Sequence, residues 1–233
     1  MIKNHEFVLE HYGEQIDAFN AFIEDAYRYL PENDNSLIRF GGGTALAIYY
    51  FQHRLSFDID LFVTDVQVLN YLSPKHWIEE TSNFADRYID LSNHIRVLHK
   101  KNNIKIDILV TDKVSHNNLV DRSNSIFNKT IYIESIDEII AKKIVYRRKD
   151  NLTRDIIDIA ISIKHANNTL KRLFDEELIN LKDIEELYQA LLSLDIGTYR
   201  EELEIVAPFE KYLEDALNAP EIIKSVCKNI LEL

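Results

Sequence analysis

The chain has 233 residues, 46% of them apolar, with a net charge of −12. That length and apolar content suit one large folded domain or two small ones and exclude global disorder. The acidic balance excludes a protein that coats nucleic acid with its whole surface. The longest apolar run, Ala45 to Phe51, is far short of the roughly 20 residues of a membrane-spanning helix, and the N-terminus lacks the apolar core of a secretion signal, so a cytoplasmic protein with no membrane partner is expected. One cysteine, Cys227, can form neither an internal disulfide nor a zinc cluster, and it reads as a filler on a C-terminal helix.

Apolar residues from Phe7 to Leu30 recur at three-to-four spacing, which predicts one or two helices ended near Pro31. A short strand, "LIRF", follows, then three consecutive glycines (41 to 43) and a helix expected to begin at Thr44. "FDIDLFV" reads as a strand and residues 74 to 90 as a helical region. "NHIRVLHKKNNIKIDILV" reads as a hairpin joined at Lys101 to Asn103. "KTIYIES" is a further strand. Ser135, with Glu138 three residues on, signals the start of a helix, and nearly all that follows is helical. Strands first and helices later predict an α+β fold: a small mixed sheet flanked by helices over residues 1–150, then a helical bundle over 151–233.

The chain holds only five glycines, so three side by side mark a local demand. Glycine is needed where φ must be positive or where a group approaches the backbone too closely for a Cβ. Between a strand and a helix, with Thr44 as cap, the triplet outlines a phosphate cradle; a merely tight turn is the competing explanation.

Strand alternation puts Asp58 and Asp60 on one side, about 6.5 to 7 Å apart, and Phe57, Ile59, Leu61 and Val63 on the other. Two carboxylates so placed repel and lose hydration, which a divalent cation relieves. On "NIKIDILV", Asp107 stands opposite Ile104, Ile106, Ile108 and Val110. If the two strands are neighbours, three carboxylates converge, and an all-oxygen set favours Mg²⁺ or Mn²⁺ acting on a triphosphate.

On the helix after Ser135, Lys143 and Arg147 share a face. Lys143 can supply positive charge to a triphosphate. Asp155 and Asp158 lie one turn apart in an isoleucine-rich helix, where a buried carboxylate needs a cation or donors; Lys143 is the partner expected for Asp158. Residues 142 to 154 carry six basic side chains against one acid. Such a run is a solvated helix face or a landing site for a phosphate backbone.

Together, "GGTAL" (42–46), "RLSFDIDLF" (54–62), "KIDIL", "AKKI" (141–144) and "RDIIDI" (154–159) resemble the AbiEii/AbiGii-type nucleotidyltransferases, a branch of the DNA polymerase β-like superfamily. The resemblance covers roughly residues 38 to 165. It implies an NTP-dependent, pyrophosphate-releasing enzyme with metal ligands Asp58, Asp60 and Asp107. Lys143 and Asp158 join these as the catalytic set. It puts the nucleotide on Gly42, Gly43, Thr44, Arg54, Ser56, Lys143 and Asp155. Lys142 adjoins Lys143, which is chosen because it precedes the apolar residue as the family's lysine does. The family further suggests RNA, in particular the tRNA 3′ end, as acceptor through the basic segment 142–154. It also suggests an antitoxin protein as partner, in a toxin–antitoxin or phage-defence system. A glycosyltransferase with the same Asp-x-Asp strand would leave Lys143 and the Asp155/Asp158 pair without a role. A catalytically inactive binding module is the non-enzyme alternative.

Overall fold

The structure, a computed structural model, describes residues 2–115 and 117–232. It divides into two compact units: residues 1–50 with 56–134, and residues 51–55 with 135–233.

The first unit opens with α1 (His5–Ala26), capped by the Asn4 side chain, which accepts from Phe7 N, and kinked at Tyr12. The strands are β1 (Arg39–Gly41), β2 (Ile59–Val63), β3 (Ile89–Asp90), β4 (His94–Leu98), β5 (Lys105–Val110), β6 (Asn118–Asp121) and β7 (Ile131–Glu134). They form one sheet in the order β3-β4-β5-β2-β1-β7-β6. β2 runs parallel to β5 and β1 to β7, while the other pairs are antiparallel, so the sheet is mixed. One face is apolar: Phe40, Ile59, Leu61, Val63, Ile95, Val97, Ile106, Ile108 and Ile133 are all buried. Phe19 of α1 packs on Phe40 with ring centroids 5.2 Å apart, and Phe22 meets Trp77 and Phe84 edge-on. Each such buried side chain contributes about 1.5–3 kcal/mol relative to exposure.

α2 (Gly42–Ala45) follows β1 directly and continues as π-helical turns over Leu46–Phe51. The region expected to be helical over 74–90 is not a helix. The helix there is α3 (Val66–Tyr71), capped by Asp65, and residues 74–80 make only two 3-10 turns around buried Pro74 and Trp77. Phe57, expected on the apolar face, is 56% exposed because the strand begins only at Ile59.

The second unit contains α4 (Ile136–Arg147), α5 (Thr153–His165), α6 (Thr169–Asp175), α7 (Leu181–Leu192), α8 (Ile196–Val206), α9 (Leu213–Leu217) and α10 (Ala219–Leu231). α5 packs against α4, α6, α8, α9 and α10. This explains its isoleucine content: a helix covered on most sides is apolar nearly all round. α4 packs on α5, α6 and α7, so the compact units part at Glu134 and Ser135 rather than at residue 150. Ser135 caps α4, accepting from Glu138 N at 3.1 Å. Residues 51–55 join this unit because Phe209 N donates to His53 O (2.9 Å), Tyr212 Oη donates to Phe51 O (2.8 Å), and Arg54 bridges Pro208. Among the described residues no helix is long and apolar enough to cross a membrane.

Candidate active site

In the first unit, strand register assembles the acidic face. Asp60 pairs with Asp107 across the parallel β2–β5 ladder and with Gly41 across β1, and Asp107 pairs with Arg96 across β4. Register partners project to the same face, so Arg96, Asp107 and Asp60 stand in one row. Asp58 precedes β2, and both Asp58 and Asp60 are half-buried, whereas Asp107 is buried.

The carboxylate of Asp107 is already engaged. Arg96 donates from Nε to Oδ1 at 2.7 Å and from Nη2 to Oδ2 at 3.1 Å, and His94 Nε2 lies 2.6 Å from Oδ1. The guanidinium of Arg96 is pushed above its ordinary value first by its hydrogen bonds to Asp107, with the charges of Asp58 and Asp60 adding to this. Part of the repulsion expected among the three aspartates is therefore relieved by the chain's own cation. Among the described residues no cluster of three or more carboxylate, imidazole or thiol groups is arranged to hold a metal ion.

The glycine triplet lies against this row. Gly42 has φ +67°, and a Cβ there would collide with the Asp60 carboxylate; a Cβ on Gly41 would strike Glu134 and Phe62. Both glycine requirements are thus met at once, positive φ and close approach. Thr44 is not the helix cap, since α2 starts two residues earlier with Gly41 in that position. Its hydroxyl instead donates to the Asp58 carbonyl and lies 2.8 Å from Ser56 Oγ. With one proton per hydroxyl, Ser56 then donates to Thr44. The start of α2 is so tied to the segment carrying the aspartates, and Gln15 Nε2 holds Ser56 O at 2.7 Å. At the far side of β1, Glu134 and Arg39, both almost fully buried, pair at 3.4 Å.

The second unit carries its own ionic cluster around Asp158, which is wholly buried on α5. Arg54 grips it with two hydrogen bonds of 2.7 and 2.8 Å, His53 Nε2 reaches Oδ1 at 2.7 Å, and Lys143 Nζ reaches Oδ2 at 3.0 Å. Burial alone would raise this carboxyl, but the charges of Arg54 and Lys143 and the hydrogen bonds of Arg54 and His53 outweigh it and hold it well below the usual carboxylate range. Burial lowers the His53 imidazole against the opposing pull of Asp158. Lys143 also lies 2.5 Å from Asp155, which Arg147 approaches at 3.1 Å. Lys143 is thus the partner of Asp158 that the sequence predicts, and of Asp155 as well.

Most of the basic run is internally paired. Lys142 meets Glu138 at 3.1 Å, Arg148 meets Glu186 at 2.7 Å, and Lys149 meets Glu186 at 2.8 Å. Lys143 and Arg147 likewise meet Asp155, so most of the run's charge is turned towards acids within the unit. Arg154 is exposed.

The profile of the family described as "Nucleotidyl transferase AbiEii toxin, Type IV TA system" matches residues 27–218. The chain belongs to the AbiEii nucleotidyl transferase toxin family. It is a nucleotidyltransferase by that membership. Two solved structures from Helicobacter pylori share the fold of this AbiEii member. One is a candidate nucleotidyltransferase, with 18% identity, TM-score 0.51, and coverage of 98% of this chain and 96% of that one. The other is JHP933, with 17% identity, TM-score 0.51, and coverage of 98% and 93%. The nucleotidyltransferase toxin MenT4 of Mycobacterium tuberculosis H37Rv aligns with TM-score 0.48 and 15% identity over 95% of this chain and 99% of its own. No curated protein sequence matches.

The sequence alone did not point to His94, Arg96, His53, Arg39 or Glu134. Alternation along "HIRVL" does set His94 and Arg96 opposite the buried Ile95 and Val97. Which residue of β5 they face depends on hairpin register, and sequence left that open.

Proposed function

We propose that this chain transfers a nucleoside monophosphate from an NTP to a hydroxyl acceptor. The acceptor oxygen bonds to the α-phosphorus as the α–β anhydride breaks, and pyrophosphate leaves. The observation that carries this reading is the register of Asp60 beside Asp107, with the bare Cα of Gly42 packed against the Asp60 carboxylate.

Asp58 and Asp60 are hard oxygen donors on one half-buried face, a chemistry that fits Mg²⁺ or Mn²⁺. A divalent cation held by these two would neutralise charge on the triphosphate and orient it. The positive φ and bare Cα of Gly42 let the chain turn hard against the Asp60 carboxylate, so a triphosphate held at Asp60 through that cation would lie beside this glycine backbone. Thr44 and Ser56 keep that backbone and the aspartate segment in fixed relation through their shared hydrogen bond.

Within the second unit, Lys143 is the residue proposed to supply positive charge to the leaving phosphates. Asp155 and Asp158 fix where its ammonium points, and their contacts use two of its three donors. Arg54 is committed to Asp158 by two hydrogen bonds and acts as a positioning residue.

The acceptor we infer is RNA, with the tRNA 3′ end foremost, and this rests on the family resemblance. The basic run lends it little, because most of its charge is spent internally. A cognate antitoxin, a role in phage defence and a cytoplasmic setting belong to the same reading.

Purified protein incubated with each labelled NTP, Mg²⁺ and total RNA tests it. Label on RNA that disappears in Asp58→Asn is expected. Label on protein alone would replace RNA with a protein hydroxyl, and no transfer, or transfer that survives Asp58→Asn, overturns the reading.

A further inference from the structure

Arg96 and Asp107 face each other across β4 and β5 as register partners, so the ladder itself sets their pairing. The guanidinium meets the carboxylate side-on through two hydrogen bonds, a geometry stronger and more directional than a single contact. His94, two residues earlier on the same strand and face, occupies Oδ1 as well. Asp107 lies next to Asp60 on the neighbouring strand, and the carboxylates of Asp58 and Asp60 act electrostatically on Arg96. Three carboxylates and one guanidinium leave a charge of two minus on this face, which a single divalent cation neutralises.

We propose that Arg96 supplies, through its fixed pairing with Asp107, the positive charge that a second metal ion would otherwise bring to this face. Asp107 then anchors Arg96 and does not ligate metal, and the face takes one divalent cation, on Asp58 and Asp60. This rests on the nucleotidyl-transfer site proposed above. It changes what Asp107 does there. A guanidinium fixed on Asp107, within electrostatic reach of Asp58 and Asp60, opposes entry of a second ion, because like charges close together repel strongly at partly buried sites.

Binding of Mn²⁺ alone to the full-length protein, followed by the loss of its free-ion electron paramagnetic resonance signal, tests the assignment. Thermal melts confirm that each variant is folded. Wild type should take up one ion. Asp107→Asn should still take up that one ion, weakened by no more than about tenfold through the lost charge, whereas Asp58→Asn should lose it. Arg96→Met should take up a second ion or bind the first at least about tenfold more tightly. Loss of Mn²⁺ in Asp107→Asn to the same degree as in Asp58→Asn would make Asp107 a ligand and overturn the inference, with the transfer reading intact. So would two ions on wild type. If wild type took up none, the carboxylate face itself would be misassigned and the inference would fall with it. Should Arg96→Met not fold, Asp107→Asn and Asp58→Asn decide the matter between them.

Discussion

Arg54 holds both oxygens of Asp158 at once, Nε to Oδ1 at 2.7 Å and Nη2 to Oδ2 at 2.8 Å, with both side chains buried. Removing Arg54 takes two hydrogen bonds and one positive charge from a buried carboxylate that keeps only Lys143 and His53, at a cost of about 3 kcal/mol, the low end for breaking a buried pair. Arg54→Met should therefore lower the unfolding free energy in urea by that amount. Arg54→Lys keeps the charge but loses the planar fork and should fall between the two. An Arg54→Met protein as stable as wild type would show that the pair contributes nothing.

The same cluster predicts loss of stability in acid. The folded Asp158 carboxyl lies well below its unfolded value of 3.8, so its contribution is present above that pH and disappears as pH falls towards the folded value. The His53 imidazole is also lowered on folding, from 6.5, so the unfolded chain binds that proton first and stability declines below that pH. Urea midpoints should fall in two stages, starting near these values. His53→Gln should remove the first stage and leave the second. A profile for His53→Gln parallel to wild type between pH 6.5 and 5 would contradict the assignment.

Gly42→Ala should be damaging on two counts, the left-handed backbone and a Cβ driven into Asp60. Strain at positive φ alone costs about 1–2 kcal/mol, and displacing Asp60 should also weaken any Mn²⁺ binding. Thermal unfolding and Mn²⁺ titration on the same preparation would reveal both. An alanine variant matching wild type in the two assays would refute the requirement.

The adjacent lysines separate by partner. Lys143 reaches Asp155 and Asp158, while Lys142 reaches Glu138 one turn back on its own helix. Lys143→Met should reduce nucleotide transfer by about 100-fold or more, as expected when a charge that stabilises the transition state is removed. Lys142→Met should retain most activity. A reversed order would move the catalytic assignment to Lys142.

Cys227 is buried and its thiol is pushed up to about 12 by burial, so it is almost entirely un-ionised at neutral pH. A thiol reagent at pH 8 should label the native protein negligibly and the urea-unfolded protein stoichiometrically. Rapid labelling without denaturant would place this cysteine elsewhere.

Local pattern carried a good deal. Alternation in "DIDLFV" and "KIDILV" was enough to set the aspartates opposite the isoleucines, because a strand's side-chain period is two whatever it packs against. Serine and glutamate at cap spacing marked the start of α4, and the density of isoleucine in α5 announced a helix covered on most sides. The Asp158–Lys143 pairing followed from the need of a buried carboxylate for a cation. Folding alone decided which strand lies beside which, and at what register. That choice placed Arg96 on Asp107 and Gly41 on Asp60, contacts between residues 11 and 19 positions apart or more that no local period encodes. It also brought the five-residue segment holding His53 and Arg54 into the helical unit, more than 100 residues ahead of the aspartate it grips. Residue type states that a charge must be compensated, but only the packed chain selects the partner, because long-range pairing is settled by the burial of whole faces rather than by any short stretch.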